Sequence, residues 1–261
     1  MNRFISGLIF FTILFSSDLF SVDTVSTALS GYKPVYFILG DLKNEVKIQV
    51  SFKYDFFFPW KLGLYGAYTQ DMFWDLFKDS NPFKTIDYNP DFFWRFESGN
   101  NFADDLNTGF LDYIQLGLFE HKSNGSDGTN SRGWSRSYLQ AQISAGDFLN
   151  FGLNAKYFYL YLTGDNPNIA NYIGSFETKV FLKLRDPDLK IDYEELYASF
   201  GAGGGMNGFD FSKGWQEYGL KIRLLFSRIR PYLQVWNGYG ENILDYNQRS
   251  EMKIRAGIIL E

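Results

Sequence analysis

The sequence predicts an all-β protein, a transmembrane antiparallel β-barrel of about 12 strands, and three observations predict it. Segments of about ten residues alternate apolar and polar side chains with a period of two. The composition is aromatic and glycine-rich, with 28 Phe, 18 Tyr, 6 Trp and 25 Gly in 261 residues, yet the mean hydropathy is slightly negative. Charged residues recur opposite the apolar face and tyrosines crowd the strand ends. That arrangement suits a polar lumen and an interfacial belt better than the packed core of a soluble sandwich.

The elements follow in chain order. Asn2-Arg3 precede an apolar stretch from Phe4 to Phe15, which gives way to Ser16-Ser17-Asp18. A charged start, a short apolar run and a polar end predict a secretory signal over 1–21, with the barrel over 22–261 as one domain. Leu19 stands where a small residue is preferred before the cut, so an uncleaved anchor stays open. The clearest strand runs from Val46, with Ile48, Val50, Phe52, Tyr54 and Phe56 on one face and Lys47, Gln49, Ser51, Lys53 and Asp55 on the other. The pattern returns at Leu149 to Tyr161, at Leu220 to Phe226, and at Met252 to Leu260 against Lys253 and Arg255. Applied throughout, it places strands near 33–40, 45–58, 61–74, 90–98, 109–121, 135–146, 149–163, 174–185, 189–201, 214–226, 229–239 and 250–260. Short turns such as Phe58-Pro59-Trp60, Gly146-Asp147 and Arg185-Asp186-Pro187 face the periplasm, and longer connections near 76–89, 121–134, 164–172, 202–213 and 240–249 face outward.

Composition also excludes. There is no cysteine, hence no disulfide framework and no thiol chemistry. A formal charge of −5 and a pI near 5.1 argue against nucleic acid as a partner.

The chain holds one histidine, His121, in His121-Lys122-Ser123-Asn124-Gly125. An imidazole is the side chain whose ordinary pKa suits a base near neutral pH. On a strand, residues i and i+2 share a face about 6.6 Å apart, so the His121 ring and the Ser123 hydroxyl can lean together. A strand end running into a hairpin loop accounts for the same residues without chemistry. Further on stands Ser131-Arg132-Gly133-Trp134-Ser135-Arg136.

Together these two stretches resemble the signature of the outer-membrane phospholipase A family, calcium-dependent barrel enzymes active as dimers. Tyr68-Thr69-Gln70, Asn81-Pro82-Phe83, Tyr88-Asn89-Pro90, Asp165-Asn166-Pro167, Gly238-Tyr239-Gly240-Glu241 and Asp245-Tyr246-Asn247 resemble family landmarks in family order, across most of the chain after Lys33. The resemblance implies hydrolysis of acyl esters of glycerophospholipids and lysophospholipids in the outer leaflet of the outer membrane. It implies Ser123 as nucleophile, His121 as base and the backbone N–H of Gly125 as an oxyanion donor. The family orients its imidazole with a neutral asparagine; here that position is Ser135, one atom shorter, so the strands must approach closely or a water must bridge. Losing an orienter costs up to about 10⁴-fold where it is a buried aspartate, so reduced rather than absent activity is expected. Carried over by position, Ca²⁺ would be held by the Ser126 carbonyl, the Ser131 hydroxyl and Ser80 of a second subunit. A ligand set without charge predicts weak binding, nearer about 10⁻⁴ M than 10⁻⁷ M. Asp127 and Asp165 offer another calcium position, or plain turn chemistry.

The homodimer leaves its own trace. Leu62, Leu64, Gly66, Tyr68, Gln70, Met72 and Trp74 form a lipid-like face broken by Gln70. An amide in hydrocarbon needs a partner; Gln70 either pairs across a twofold axis, as the resemblance implies, or lies at the headgroup boundary. One conflict remains. Ile114 and Leu116 set even residues as apolar, which would aim His121 and Ser123 into the lumen, so a β-bulge between Gly117 and His121 is expected to reverse the parity. The competing function is a catalytically inactive barrel acting as a narrow porin or structural protein; an adhesin rests only on exposed loops.

Overall fold

The computed structural model describes residues 28–40, 45–58, 60, 62–97, 109–186, 191–205, 208–224 and 228–260. The expected signal segment, Pro59 and Pro187 lie outside the described residues. The strands are β1 (Leu29–Gly31), β2 (Val35–Gly40), β3 (Glu45–Asp55), β4 (Leu64–Asp75), β5 (Phe83–Glu97), β6 (Leu111–Ser123) and β7 (Gly133–Ala145). They continue as β8 (Leu149–Tyr161), β9 (Phe176–Asp186), β10 (Ile191–Gly203), β11 (Asp210–Ile222), β12 (Ile229–Gly238) and β13 (Ser250–Leu260). Each is antiparallel to its neighbours, β13 pairs with β2, and β3 pairs with β4, so the sheet closes. β1 and β2 both pair with β3 and share one position in the ring. The expected 12-stranded barrel is therefore the observed one. The helical elements among the described residues include a 3-10 turn, Gly128–Asn130, and the single turn α1, Ala170–Ile173.

Alternation decides what faces where. Phe52, Leu139, Phe151, Val180, Leu196 and Leu233 are exposed on the outer wall. The charges between the apolar residues are buried inside as ion-pair groups. Glu195 takes Lys179, Lys183 and Lys221, Glu120 takes Arg136 and Lys156, and Glu241 takes Lys47, Lys253 and Arg255. Closing the ring buries the carboxylates Glu120, Glu195 and Glu241 almost completely, where an unpaired charge would be costly, so pairing goes with closure. Two adjoining cavities of about 330 and 240 Å³ remain in the lumen. Trp134, Ile169, Ile173, Ile243 and Tyr246 pack together over one end. A lumen filled and capped in this way disfavours a porin.

The strand boundaries differ from expectation where polar residues were read as loop. β5 begins at Phe83 and the preceding connection spans only 76–82, because Thr85, Asp87 and Asn89 are buried lumen-facing residues of a strand. The 121–134 connection shrinks to 124–132, with His121 and Ser123 still on β6 and Ser135 on β7. Likewise β10 reaches Gly203 and β11 starts at Asp210.

Candidate active site

Three adjacent strands, β5, β6 and β7, build the site. Along β6 the pairing with β7 runs Gly117↔Tyr138 and then Glu120↔Arg136, so Leu118 and Phe119 oppose Ser137 alone. The pairing with β5 slips at the same point, from Phe93↔Gly117 to Phe92↔Phe119. This is the bulge expected from the parity conflict. Leu118 and Phe119 both face outward, 41% exposed each, and everything beyond them changes sides. The Ser137 hydroxyl donates to the Leu118 carbonyl at 3.0 Å, satisfying an acceptor that the bulge pulls from the ladder. After the bulge Glu120 is buried inside against Arg136, and Lys122 reaches Asp71 and Asp87 in the lumen. His121 and Ser123 consequently face outward.

Ser135 lies directly across from His121. Asn124 N–H donates to the Arg132 carbonyl at 3.1 Å, which makes 124/132 a hydrogen-bonded pair. By alternation 121/135 is a non-hydrogen-bonded pair, the kind whose side chains stand closer. His121 Nδ1 and Ser135 Oγ are 3.0 Å apart. The short hydroxyl thus reaches the imidazole directly, without a bridging water, and Ser135 is fully buried there. Phe119 stacks against the His121 ring at 6.2 Å and 8°. A Cβ on Gly133 would lie 3.7 Å from both His121 Cε1 and Ser123 Cβ, so both side chains border the same buried glycine. No hydrogen bond joins Ser123 to the imidazole among the described residues; such contacts are often loose before substrate binds.

The loop after Ser123 is held by Asn124, whose Oδ1 accepts from Arg132 N–H at 3.0 Å and whose Nδ2 donates to the Asn130 carbonyl at 2.8 Å. Gly125 sits at φ 63, and a Cβ there would meet the Tyr88 ring at 2.9 Å. A side chain is excluded twice over, by backbone conformation and by space. The Gly125 N–H and the Ser126 carbonyl have no hydrogen-bond partner among the described residues, leaving a free donor and a free acceptor beside Ser123. Ser131 Oγ donates to Asp165 Oδ2 at 2.6 Å, and Gly133 N–H donates to Asn166 Oδ1 at 2.9 Å. Asp165 therefore stands beside the Ser131 hydroxyl and not apart from it, while Asp127 flanks the 3-10 turn without capping it.

The more remote residues are not brought together with these. Ser80 lies in the 76–82 connection in the left-handed backbone region, φ 65, with no hydrogen bond to Ser126 or Ser131 among the described residues. On β4, Gln70 Oε1 accepts from Tyr68 Oη at 2.9 Å, which satisfies part of its amide within the chain. Asn124, Asn166 and Tyr88 were visible in the sequence as landmarks without roles; Asn124 holds its own loop, Asn166 reaches the Gly133 N–H across 33 residues, and the Tyr88 ring lies against Gly125.

A family model described as Phospholipase A1 matches residues 23–260. The Phospholipase A1 of Salmonella typhimurium is 32% identical over 229 residues, spanning 84% of this chain and 70% of that protein, and that of Escherichia coli is 30% identical over the same lengths. Among solved structures, outer membrane phospholipase A from Escherichia coli matches with a TM-score of 0.72 at 26% identity, covering 89% of this chain and 98% of that one. The Salmonella typhi outer membrane phospholipase dimer with bound calcium matches with a TM-score of 0.73 at 25% identity, covering 94% and 96%.

Proposed function

The chain belongs to the Phospholipase A1 family, a phospholipase ester hydrolase of the outer membrane, and from that premise we propose that Ser123, His121 and Ser135 carry out the hydrolysis. The observation that supports this is the direct contact of His121 Nδ1 with Ser135 Oγ at 3.0 Å, on the outward side of a bulge. If the Ser135 hydroxyl accepts from Nδ1–H, the lone pair of Nε2 is free toward Ser123. Nε2 takes the Ser123 proton as Oγ attacks the ester carbonyl, and the tetrahedral oxyanion forms beside the free N–H of Gly125. Collapse breaks the acyl–oxygen bond, the imidazolium returns its proton to the leaving glycerol oxygen, and an acyl-enzyme remains. Water, deprotonated by the same imidazole, releases the fatty acid and restores Ser123. Phospholipids and lysophospholipids offer the same ester to this outward-facing site.

Ca²⁺ fits the oxygens present. The Ser126 carbonyl, the Ser131 hydroxyl and the Asp165 carboxylate would hold it, and the carboxylate makes the site stronger than an uncharged set. When bound, the ion supplies positive charge near the developing oxyanion. The active form is a homodimer, with Ser80 and the free half of the Gln70 amide presented to a second copy, and residues 1–21 act as the export signal.

The test is fatty-acid release from phospholipid in mixed micelles by the purified protein, with Ca²⁺ or with chelator. Expected are calcium-dependent release and a loss of about 10⁴-fold or more for Ser123→Ala, with the barrel still folded. Undiminished release by Ser123→Ala would overturn the mechanism.

A further inference from the structure

The ladder between β5 and β6 omits two rungs beside the base. Its pairs run Tyr88↔Ser123 and then Asp91↔Glu120, so Pro90 stands opposite His121 and Asn89 opposite Lys122. The backbone groups of His121 point toward β5, because its pair with Ser135 is of the non-hydrogen-bonded kind and the two sides of a strand alternate. Any residue but proline at position 90 would offer its N–H to the His121 carbonyl. Proline has none, and a strand carbonyl without a donor inside a membrane-spanning wall is costly.

Asn89 closes this gap from the lumen. Its side chain is buried, its Nδ2 donates to the His121 carbonyl at 2.7 Å, and its Oδ1 accepts from Lys33 Nζ at 3.4 Å. We infer that Asn89 is a positioning residue for His121: its side-chain amide replaces the backbone donor that Pro90 withholds, and so fixes the peptide that carries the imidazole. The inference rests on reading His121 as the base. The contact works across the wall, with Asn89 inside and the ring outside, because both share one peptide. It acts two residues beyond the bulge, where the ladder is least able to hold itself, and it fixes the segment between the Phe119 stack and Ser123. The Lys33 ammonium orients the amide, since it offers donors only and thus selects Oδ1, turning Nδ2 toward the carbonyl.

The experiment uses the full barrel and three variants: Asn89→Leu, which removes the donor at similar size; Asn89→Asp, which sets an acceptor against the carbonyl; and Asn89→Leu with Pro90→Ala, which returns a backbone N–H. Two readouts are taken. One is kcat and KM for fatty-acid release across the titration range of the imidazole. The other is the ring NMR signal, assigned without ambiguity because the chain has one histidine. Asn89→Leu should lower kcat about 10- to 100-fold, the scale of a displaced catalytic group, with KM little changed. Its ring signal and titration midpoint should move. Asn89→Asp should do the same, and adding Pro90→Ala should restore both readouts toward the wild type. A wild-type ring signal and titration in Asn89→Leu, or a folded double variant without recovery, overturns the inference. The outcome is separable from the enzymatic reading, because the ring signal decides the role of Asn89 even in a protein that releases no fatty acid.

Discussion

Two seams of the same barrel are built from the same alternation and differ in what they do with it. Between β8 and β9 the pairing runs from Leu149↔Leu184 to Tyr157↔Phe176 without a shift. The outer and inner faces there alternate without interruption, with Phe151, Leu153 and Val180 outside and Asn150, Lys156 and the Phe181 ring inside. Between β5, β6 and β7 the register slips at Gly117 to Glu120, the ladder skips Pro90, and side chains replace backbone donors at the His121 and Leu118 carbonyls. A regular seam maximises pairing and leaves no polar group to spare on the lipid side. The irregular seam gives up rungs, and in exchange it sets an imidazole and two hydroxyls on a face otherwise reserved for hydrocarbon contacts.

The comparison breaks most sharply at Ser135, the proposed orienter. Ser135→Ala should cut kcat by about 10²- to 10⁴-fold, the range for removing a tautomer-setting partner, while the melting temperature stays close to wild type; steady-state kinetics beside thermal denaturation checks this. Next comes Gly125→Ala. A methyl there meets the Tyr88 ring at 2.9 Å from a left-handed backbone, so the loop must shift, and loss of an oxyanion donor costs about 10²-fold. The mirror of that experiment is Gly152→Ala on the regular seam. Its methyl would lie 2.0 Å from the Phe181 ring, so it should destabilise the barrel by about 1–3 kcal/mol and leave kcat of the folded fraction unchanged. The smallest effect concerns acid. Burial alone would raise the Glu241 carboxyl, but Lys47, Arg255 and Lys253 hold it down at about 2. A carboxyl depressed in the folded state contributes stability that is complete above its unfolded value of about 4.3 and fades as pH falls toward about 2. Unfolding followed through that window should therefore show stability falling with pH, and Glu241→Gln should remove that part of the dependence.

How far the sequence reached follows the same division. Regular strands were legible, since Val46 to Phe56 and Leu149 to Tyr161 carry a period of two that nothing but a sheet with two unlike faces explains. The bulge was legible as a contradiction, because the even-numbered apolar parity of Ile114 and Leu116 could not coexist with an outward His121. The start of β5 was hidden, since Thr85, Asp87 and Asn89 read as loop residues until a closed lumen gives them a buried side. The pairing of His121 with Ser135 was anticipated as a question of reach, which only the narrow pair between the strands could answer. The roles of Asn89 and Asn166 were out of reach, because each bonds a backbone group more than 30 residues away, whereas Asn124 bonds groups of its own loop. Asp165 was legible as a calcium position or a turn residue, but not as the partner of Ser131, which lies 34 positions away.

The outward turn at Leu118 and Phe119 has a consequence for supply. A site on the rim of a pore would be fed from solution, whereas one set into the outer wall is fed sideways, by molecules diffusing within a two-dimensional film. Turnover should then track the mole fraction of phospholipid in that film, and diluting it with inert amphiphile should slow the reaction even when the total amount of lipid in suspension is held constant.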